Sequence, residues 1–358
     1  MSEPGTVALP LQQEGSVLAV AFSPDNKRLA SGGSDTRLRV RPVGIGAPPL
    51  EVTVDGSVTG IAFSPDGSKI VVADFEQVFL RDSSTGTAVW QGPLAPGNSV
   101  NTVRFAPDGQ VIATTDTLIS VLDQASGEVT RSITVDPPLI ADVDLSRDGT
   151  RIAVAVDEDH GGNHRNAGSA RVYELATGTE IGRLTPDDAV LAVAFSPDGT
   201  QVVCCAADDT TRMFKAQGGQ QVWPTPDDDV DEQVTAPNCL AFDPKGKWTV
   251  VGGSDGYARV LDADTGLEKG RAPRLKPGDP DDMSFGAVTH VAFSPNGKLA
   301  ASASIDNVVR LFNVTGDELY TVTTDEVLVL RFSPNGRWLG VGTMNGPMVI
   351  DNGEANQG

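Results

Sequence analysis

The phrase VLAVAFSPDG, at Val190–Gly199, returns through the chain and limits what the chain can become. Eight copies begin at Val17, Val58, Val100, Ile140, Val190, Pro237, Val288 and Val327, between 39 and 51 residues apart. Self-similarity at this period marks one supersecondary unit built repeatedly, each copy covering its apolar faces with its neighbours. The run VLAVAF suits a strand buried on both faces. Ser-Pro-Asp-Gly then ends it: Pro presets φ, Asp tolerates the turn, and Gly takes the conformation that crowds other residues. The copy at Ile140 is the weakest, because LSRDG lacks both the Phe and the Pro.

Each copy continues in the same way. A second strand of small apolar residues follows, such as RLASGG at Arg28–Gly33 and LAASAS at Leu299–Ser304, which lets neighbouring sheets approach closely. A third comes next, such as ARVYEL from Ala170 and VRLFNV from Val309. A Ser/Thr-Gly turn at Gly86, Gly127, Gly178, Gly266 or Gly316 leads into a fourth, such as TAVW at Thr87–Trp90. Four short antiparallel strands per roughly 40 residues predict a β-propeller blade.

In SASIDNVVRLFNVTGDEL (Ser302–Leu319) and GGSDGYARVLDADTGLE (Gly252–Glu268) the pattern resembles that of the WD-repeat β-propeller family, and the resemblance runs over nearly the whole chain. The repeats are degenerate. The Trp-Asp pair of the family reads Arg41-Pro42, Arg81-Asp82, Leu122-Asp123, Tyr173-Glu174, Phe214-Lys215, Leu261-Asp262, Phe312-Asn313 and Ile350-Asp351, and the preceding Gly-His is missing. The buried His–Asp network that the resemblance would imply is therefore not expected. Acids Asp35, Asp209, Asp255 and Asp306 stand in the turns between second and third strands.

The expected fold is all-β: an eight-bladed β-propeller of four-stranded antiparallel blades, forming a single domain over residues 1–358. The blades fall near residues 17–54, 58–94, 100–135, 140–184, 190–223, 237–272, 288–322 and 327–351. The eighth unit supplies three strands and a lone N-terminal strand at Thr6–Leu11 is left over, so the two ends are predicted to pair. Closure of this kind removes the open sheet edges that invite aggregation.

A net charge of −21 argues against a nucleic-acid partner, whose affinity comes largely from phosphate neutralisation, and equally against anionic membrane surfaces. It permits basic proteins, cationic ligands or divalent metals and keeps the particle soluble; a generally acidic proteome is the blander reading. Three cysteines are too few for a disulfide framework and read as small packed residues of a reducing compartment. No apolar run is long enough to span a bilayer and the polar start MSEPGTVALP is no signal peptide, so a cytoplasmic monomer is expected.

Three insertions break the regular spacing, all predicted on the face that carries the second-to-third and blade-to-blade loops of blades 4–7. Loops longer than their neighbours on a rigid scaffold are where binding usually resides. The link at 224–236 carries Asp227, Asp228, Asp229, Asp231 and Glu232 without a basic residue, which suits a basic peptide, a calcium ion or simply solvent; the spacing is not that of an EF-hand. The link at 273–287 carries Asp281 and Asp282 followed by Met283 and Phe285, an apolar pair that either anchors a partner or packs onto the blade. The insertion at 157–169 holds His160, His164 and Arg165; a Gly-rich loop does not set the two histidines for zinc, and a polar surface loop is the simpler reading.

No nucleophile–base arrangement, phosphate loop or dinucleotide fingerprint stands in a fitting context. The expectation is a non-enzymatic protein–protein interaction scaffold, without a cofactor, that binds a protein or peptide through the loop-rich face of blades 4–7. The alternative is a small-molecule or metal-binding propeller, hydrolytic or not, that uses a central channel. First-strand residues Asp142, Asp144 and His290 are its candidate ligands.

Overall fold

The computed structural model describes residues 8–10, 13–43, 48–93, 99–136, 139–157, 168–223, 236–272 and 286–353. The chain folds as an all-β, eight-bladed propeller of antiparallel blades, with no α-helix among the described residues. Its blades fall into two compact units. One comprises residues 1–136 with 327–358 and holds blades 8, 1, 2 and 3; the other, residues 137–326, holds blades 4 to 7.

Within each blade, strand order follows chain order. Blade 1 runs Val17–Phe22, Arg28–Gly33, Arg37–Pro42 and Leu50–Thr53, and each strand pairs with the next. Blade 8 takes its fourth strand from the other end of the chain: Ala8, Leu9 and Pro10 pair antiparallel with Ile350, Val349 and Met348. The pairing of the two ends therefore stands as the strand count requires.

Blade 5 departs from the expected count. Its described sheet has three strands, and the fourth is reduced to a bridge between Phe214 and Gln221, with the Val222 N–H donating to the Met213 carbonyl at 2.7 Å. The next residue, Trp223, is buried. Its indole Nε1 donates to the Ala263 carbonyl of blade 6 at 2.9 Å, and that contact holds the chain against the neighbouring blade.

The Ser-Pro-Asp-Gly turns are held together by their opening serine, a residue favoured at that turn position. Ser64 is fully buried; its hydroxyl donates to Asp66 at 2.6 Å and accepts the Lys69 N–H at 2.9 Å. The same arrangement joins Ser196, Asp198 and Gln201 in blade 5, and Ser146, Asp148 and Arg151 in blade 4. The weak fourth repeat thus keeps the serine hub although it lost the proline. In blade 6 an acid replaces the serine: Asp243 accepts the Lys247 and Trp248 N–H groups at 2.6 and 2.7 Å. At the last turn position Gly67 has φ +72°, and Asn26 takes its place in blade 1 at +62°, an exchange that asparagine tolerates better than other side chains.

Sheets pack face to face along apolar seams. Between blades 1 and 2 lie Ala30, Leu38, Val40, Val58, Ile70 and Phe79; between blades 4 and 5 lie Ala153, Val172, Val190, Phe195, Val202 and Phe214. Small second-strand residues set the spacing. A methyl group on Gly252 would stand 2.5 Å from Val288 of blade 7, and one on Gly342 would stand 2.8 Å from Val17 of blade 1. Except in blade 2, the first strands also carry a register shift near their start, as between Val17 and Ala19, Ile140 and Asp142, and Val288 and His290. Bulges of this kind sharpen strand twist, which suits sheets packed around a propeller.

Candidate functional site

All the residues singled out in the three insertions, namely Asp227, Asp228, Asp229, Asp231, Glu232, Asp281, Asp282, Met283, Phe285, His160, His164 and Arg165, lie outside the described residues. The structure does describe where those segments join the blades. Ala236, which closes the acidic link, donates its N–H to Asp209 at 2.9 Å, and its carbonyl accepts the Ser254 N–H at 3.0 Å. Ala287, after the next link, accepts the Ile305 N–H at 3.0 Å. Asp157, before the histidine-bearing insertion, donates its N–H to the Leu139 carbonyl at 3.0 Å. Each root is tied to a turn or strand start of the loop-bearing end of blades 4 to 7.

Asp142 and Asp144, the candidate channel ligands of blade 4, are engaged on the backbone of blade 5. Asp142 Oδ2 accepts the Val193 N–H at 3.1 Å, and Asp144 Oδ2 accepts the Phe195 N–H at 2.8 Å. His290 Nδ1 stands 3.0 Å from the Thr289 hydroxyl. Among the described residues, no three His, Cys, Asp or Glu side chains come together in a way that would hold a metal ion. The cysteines sit in blades 5 and 6 as free thiols; burial pushes Cys204 and Cys239 up to about 12 and Cys205 well above its ordinary value. Thiols with such values carry little thiolate and make poor nucleophiles.

The turns between second and third strands carry a repeated ion pair. Asp35 pairs with Arg39 in blade 1, Asp208 with Arg212 at 2.9 Å in blade 5, Asp255 with Arg259 at 2.5 Å in blade 6, and Asp306 with Arg310 at 2.6 Å in blade 7. In blade 5 the paired acid is Asp208, one residue before the Asp209 marked in the sequence. Asp209 occupies the left-handed position of the turn, φ +63°, as Thr36 and Asn307 do in blades 1 and 7, so its side chain points away to Ala236. The four arginines are buried, and the constant Asp-x-x-x-Arg spacing was the available signal for them. Burial alone would lower the Arg39 pKa, but hydrogen bonds to Asp35 and Glu51 raise it on balance. Asp306 is opposed by burial too, yet hydrogen bonds from Arg310 and Ser304 bring it below the usual carboxylate range.

In blade 1 this ion pair borders a cavity of about 720 Å³ lined by Gln13, Glu14, Asp35, Arg37 and Arg39. Gln13 is buried, accepts the Ser31 hydroxyl at 2.8 Å and donates to Asp35 at 3.4 Å. Glu51 takes Arg39 Nε at 3.0 Å and Arg37 Nη1 at 3.2 Å. Glu14 is exposed at the rim. Residues 13 and 14 stand before the strand-and-turn phrase that begins at Val17, so that phrase does not mark them.

The WD domain, G-beta repeat family profile matches residues 8–41, 178–215, 231–262 and 283–313. Those matches fall on four of the repeats of a chain whose fold is a β-propeller. An uncharacterized WD repeat-containing protein of Synechocystis is 28% identical over 157 residues, 43% of this chain and 41% of that protein. The serine-threonine kinase receptor-associated protein of Dictyostelium discoideum is 28% identical over 144 residues, 40% of this chain and 43% of that protein. The chain thus spans about two-fifths of each of these relatives. Among solved structures, Sqt1 of Chaetomium thermophilum superposes over the full length of both chains with a TM-score of 0.79 at 17% identity. The designed protein Ika8 superposes over 97% of this chain with a TM-score of 0.76 at 20% identity. At these identities the likeness is one of fold. Among the described residues, no helix is long and apolar enough to cross a membrane.

Proposed function

We propose that this propeller is a non-enzymatic interaction platform that presents the loop-bearing face of blades 4–7 to a basic protein or peptide. The reading is supported by the residues that flank the three links: Asp157, Ala236 and Ala287 each hydrogen-bond to a turn or strand start beside them. Attachment points fixed before a partner arrives lower the ordering cost of binding. The acidic run Asp227–Glu232 sets the charge of the partner, and Met283 with Phe285 supplies apolar anchors. Propellers of this family typically act as protein-interaction scaffolds, and the serine-threonine kinase receptor-associated protein carries an association in its name. The free, unreactive thiols fit a reducing, cytoplasmic setting.

The test compares the intact chain with two variants in which residues 224–235 or 273–285 are replaced by a Gly/Ser linker. Partners recovered from extracts of the source cells should fall away in one variant or both, while thermal unfolding stays unchanged. Equal recovery with both replacements would rule the assignment out.

A further inference from the structure

Four asparagines of this chain are followed by glycine: Asn296, Asn335, Asn345 and Asn352. Such a pair is chemically vulnerable, because glycine has no Cβ to keep its backbone nitrogen from the carboxamide before it. How the fold holds each carboxamide then decides which of the four reacts.

Three are held. Asn296 Oδ1 accepts the Ser294 hydroxyl at 2.8 Å and the Lys298 N–H at 3.0 Å. Asn335 Oδ1 accepts the Ser333 hydroxyl at 2.8 Å and the Arg337 N–H at 3.1 Å. Both stand at the turn position that Asp66 fills in blade 2, so the serine hub grips the carboxamide as it grips the carboxylate. Asn352 is fully buried, and its Nδ2 donates to the Gly336 carbonyl at 2.9 Å.

Asn345 differs. It is exposed, on the two-residue turn that joins Trp338–Thr343 to Gly346–Asp351 in blade 8. Its N–H donates to the Thr343 hydroxyl at 3.2 Å, but its carboxamide bonds to no described residue. The pair Thr343–Gly346 closes this hairpin, and the end of an element opens more readily than its interior. Gly346 has φ +135°, so the turn requires the very residue that leaves the asparagine unprotected.

We infer that Asn345 is the site at which the folded protein deamidates. The Gly346 nitrogen bonds to Asn345 Cγ, the bond from Cγ to Nδ2 breaks, and Nδ2 leaves as ammonia with the proton that Gly346 gives up. Water then adds to one carbonyl of the cyclic imide and opens it. One opening gives aspartate; the other gives isoaspartate, in which the main chain runs through Cβ. Water is the only co-reactant. Each event adds one negative charge to a chain already at −21, and the isoaspartate form lengthens a tight turn in the blade that the N-terminal strand closes.

The test holds the full chain, folded and in urea, in mildly alkaline buffer and maps it by proteolysis and fragmentation mass spectrometry. In the folded chain, conversion at Asn345 should outrun that at Asn296, Asn335 and Asn352 by at least about tenfold, because hydrogen bonds must open before those three can react. In urea the four should convert at similar rates, since each precedes a glycine. Ser333→Ala removes the hub from Asn335 and should speed its conversion without changing that of Asn345. Asn345→Gln should abolish the early conversion and leave the unfolding midpoint unchanged. A folded chain in which Asn345 stays intact, or in which Asn296 or Asn335 converts first, overturns the inference. The same order of rates in urea as in the folded chain also overturns it, because sequence neighbours and not the fold would then set the site.

Discussion

Asp144 accepts the backbone N–H of Phe195 at 2.8 Å, from a first strand 51 residues earlier in the chain. With Asp142 on Val193, it ties blade 4 to blade 5 through side chain and backbone. An acid in the first strand of a propeller invites a reading as a channel ligand; here it satisfies a buried amide. Asp144→Ala should cost about 1–3 kcal/mol of stability, the usual penalty for a buried donor left without an acceptor. Asp144→Asn keeps an acceptor oxygen and should cost less. Urea unfolding of the two variants checks the order; an Ala variant as stable as the parent would return Asp144 to the list of ligands.

Arg259 holds Asp255 at 2.5 Å and stands 3.3 Å from Glu268 Oε2, close enough for an ion pair although the two do not align as a hydrogen bond. Arg259→Met strands Asp255 in a largely buried place, while Glu268 keeps Arg271 at 2.5 Å, and should cost about 3–5 kcal/mol. The half-exposed Arg37–Glu51 pair is the contrast: Arg37→Met should cost less than about 1 kcal/mol. Comparable losses in the two variants would contradict the difference in burial on which this rests.

The serine hubs make the propeller acid-sensitive. The Ser64 hydroxyl, helped by the Ser68 N–H and hydroxyl, brings Asp66 down to about 2, and Ser23, Ser146 and Ser196 lower Asp25, Asp148 and Asp198 in the same sense. Folded-state values below the unfolded ones mean that this stability is complete above the ordinary carboxylate range near 4. It is lost as pH falls through the folded values towards about 2. Removing the hydroxyl with Ser64→Ala should return Asp66 part of the way to 3.8, its ordinary value, in a carbon-detected carboxyl titration. An unmoved Asp66 would mean that the backbone amides alone hold it.

A methyl group on Gly127 would stand 2.6 Å from the Trp90 indole, at φ +75°. Trp90 Nε1 donates to the Gln124 carbonyl at 2.8 Å, so the ring cannot swing away freely. Gly127→Ala should destabilise by more than about 1 kcal/mol through backbone strain and crowding together. Gly92 has open space where a methyl group would go, so Gly92→Ala should leave the unfolding midpoint unchanged or raise it. Equal effects of the two changes would remove the crowding argument.

The blades could be read before any coordinate was known. A buried strand run such as VLAVAF, a turn such as SPDG and a Ser/Thr-Gly turn act over a few residues, and eight copies leave a strand over only at the two ends. That local chemistry determined the all-β architecture, the strand order within each blade and the pairing of Ala8–Pro10 with Met348–Ile350. It was silent on choices made between residues distant in sequence. Asp208 and Asp209 are identical side chains, and only the turn's left-handed position decides which one meets Arg212. The acids of blade 4 became acceptors for blade 5 because packing brought their carboxylates to unpaired amides. The exposure of Met344 and Phe75 likewise depends on which neighbours cover them, and burial is a property of the assembled sheets, not of any stretch of chain.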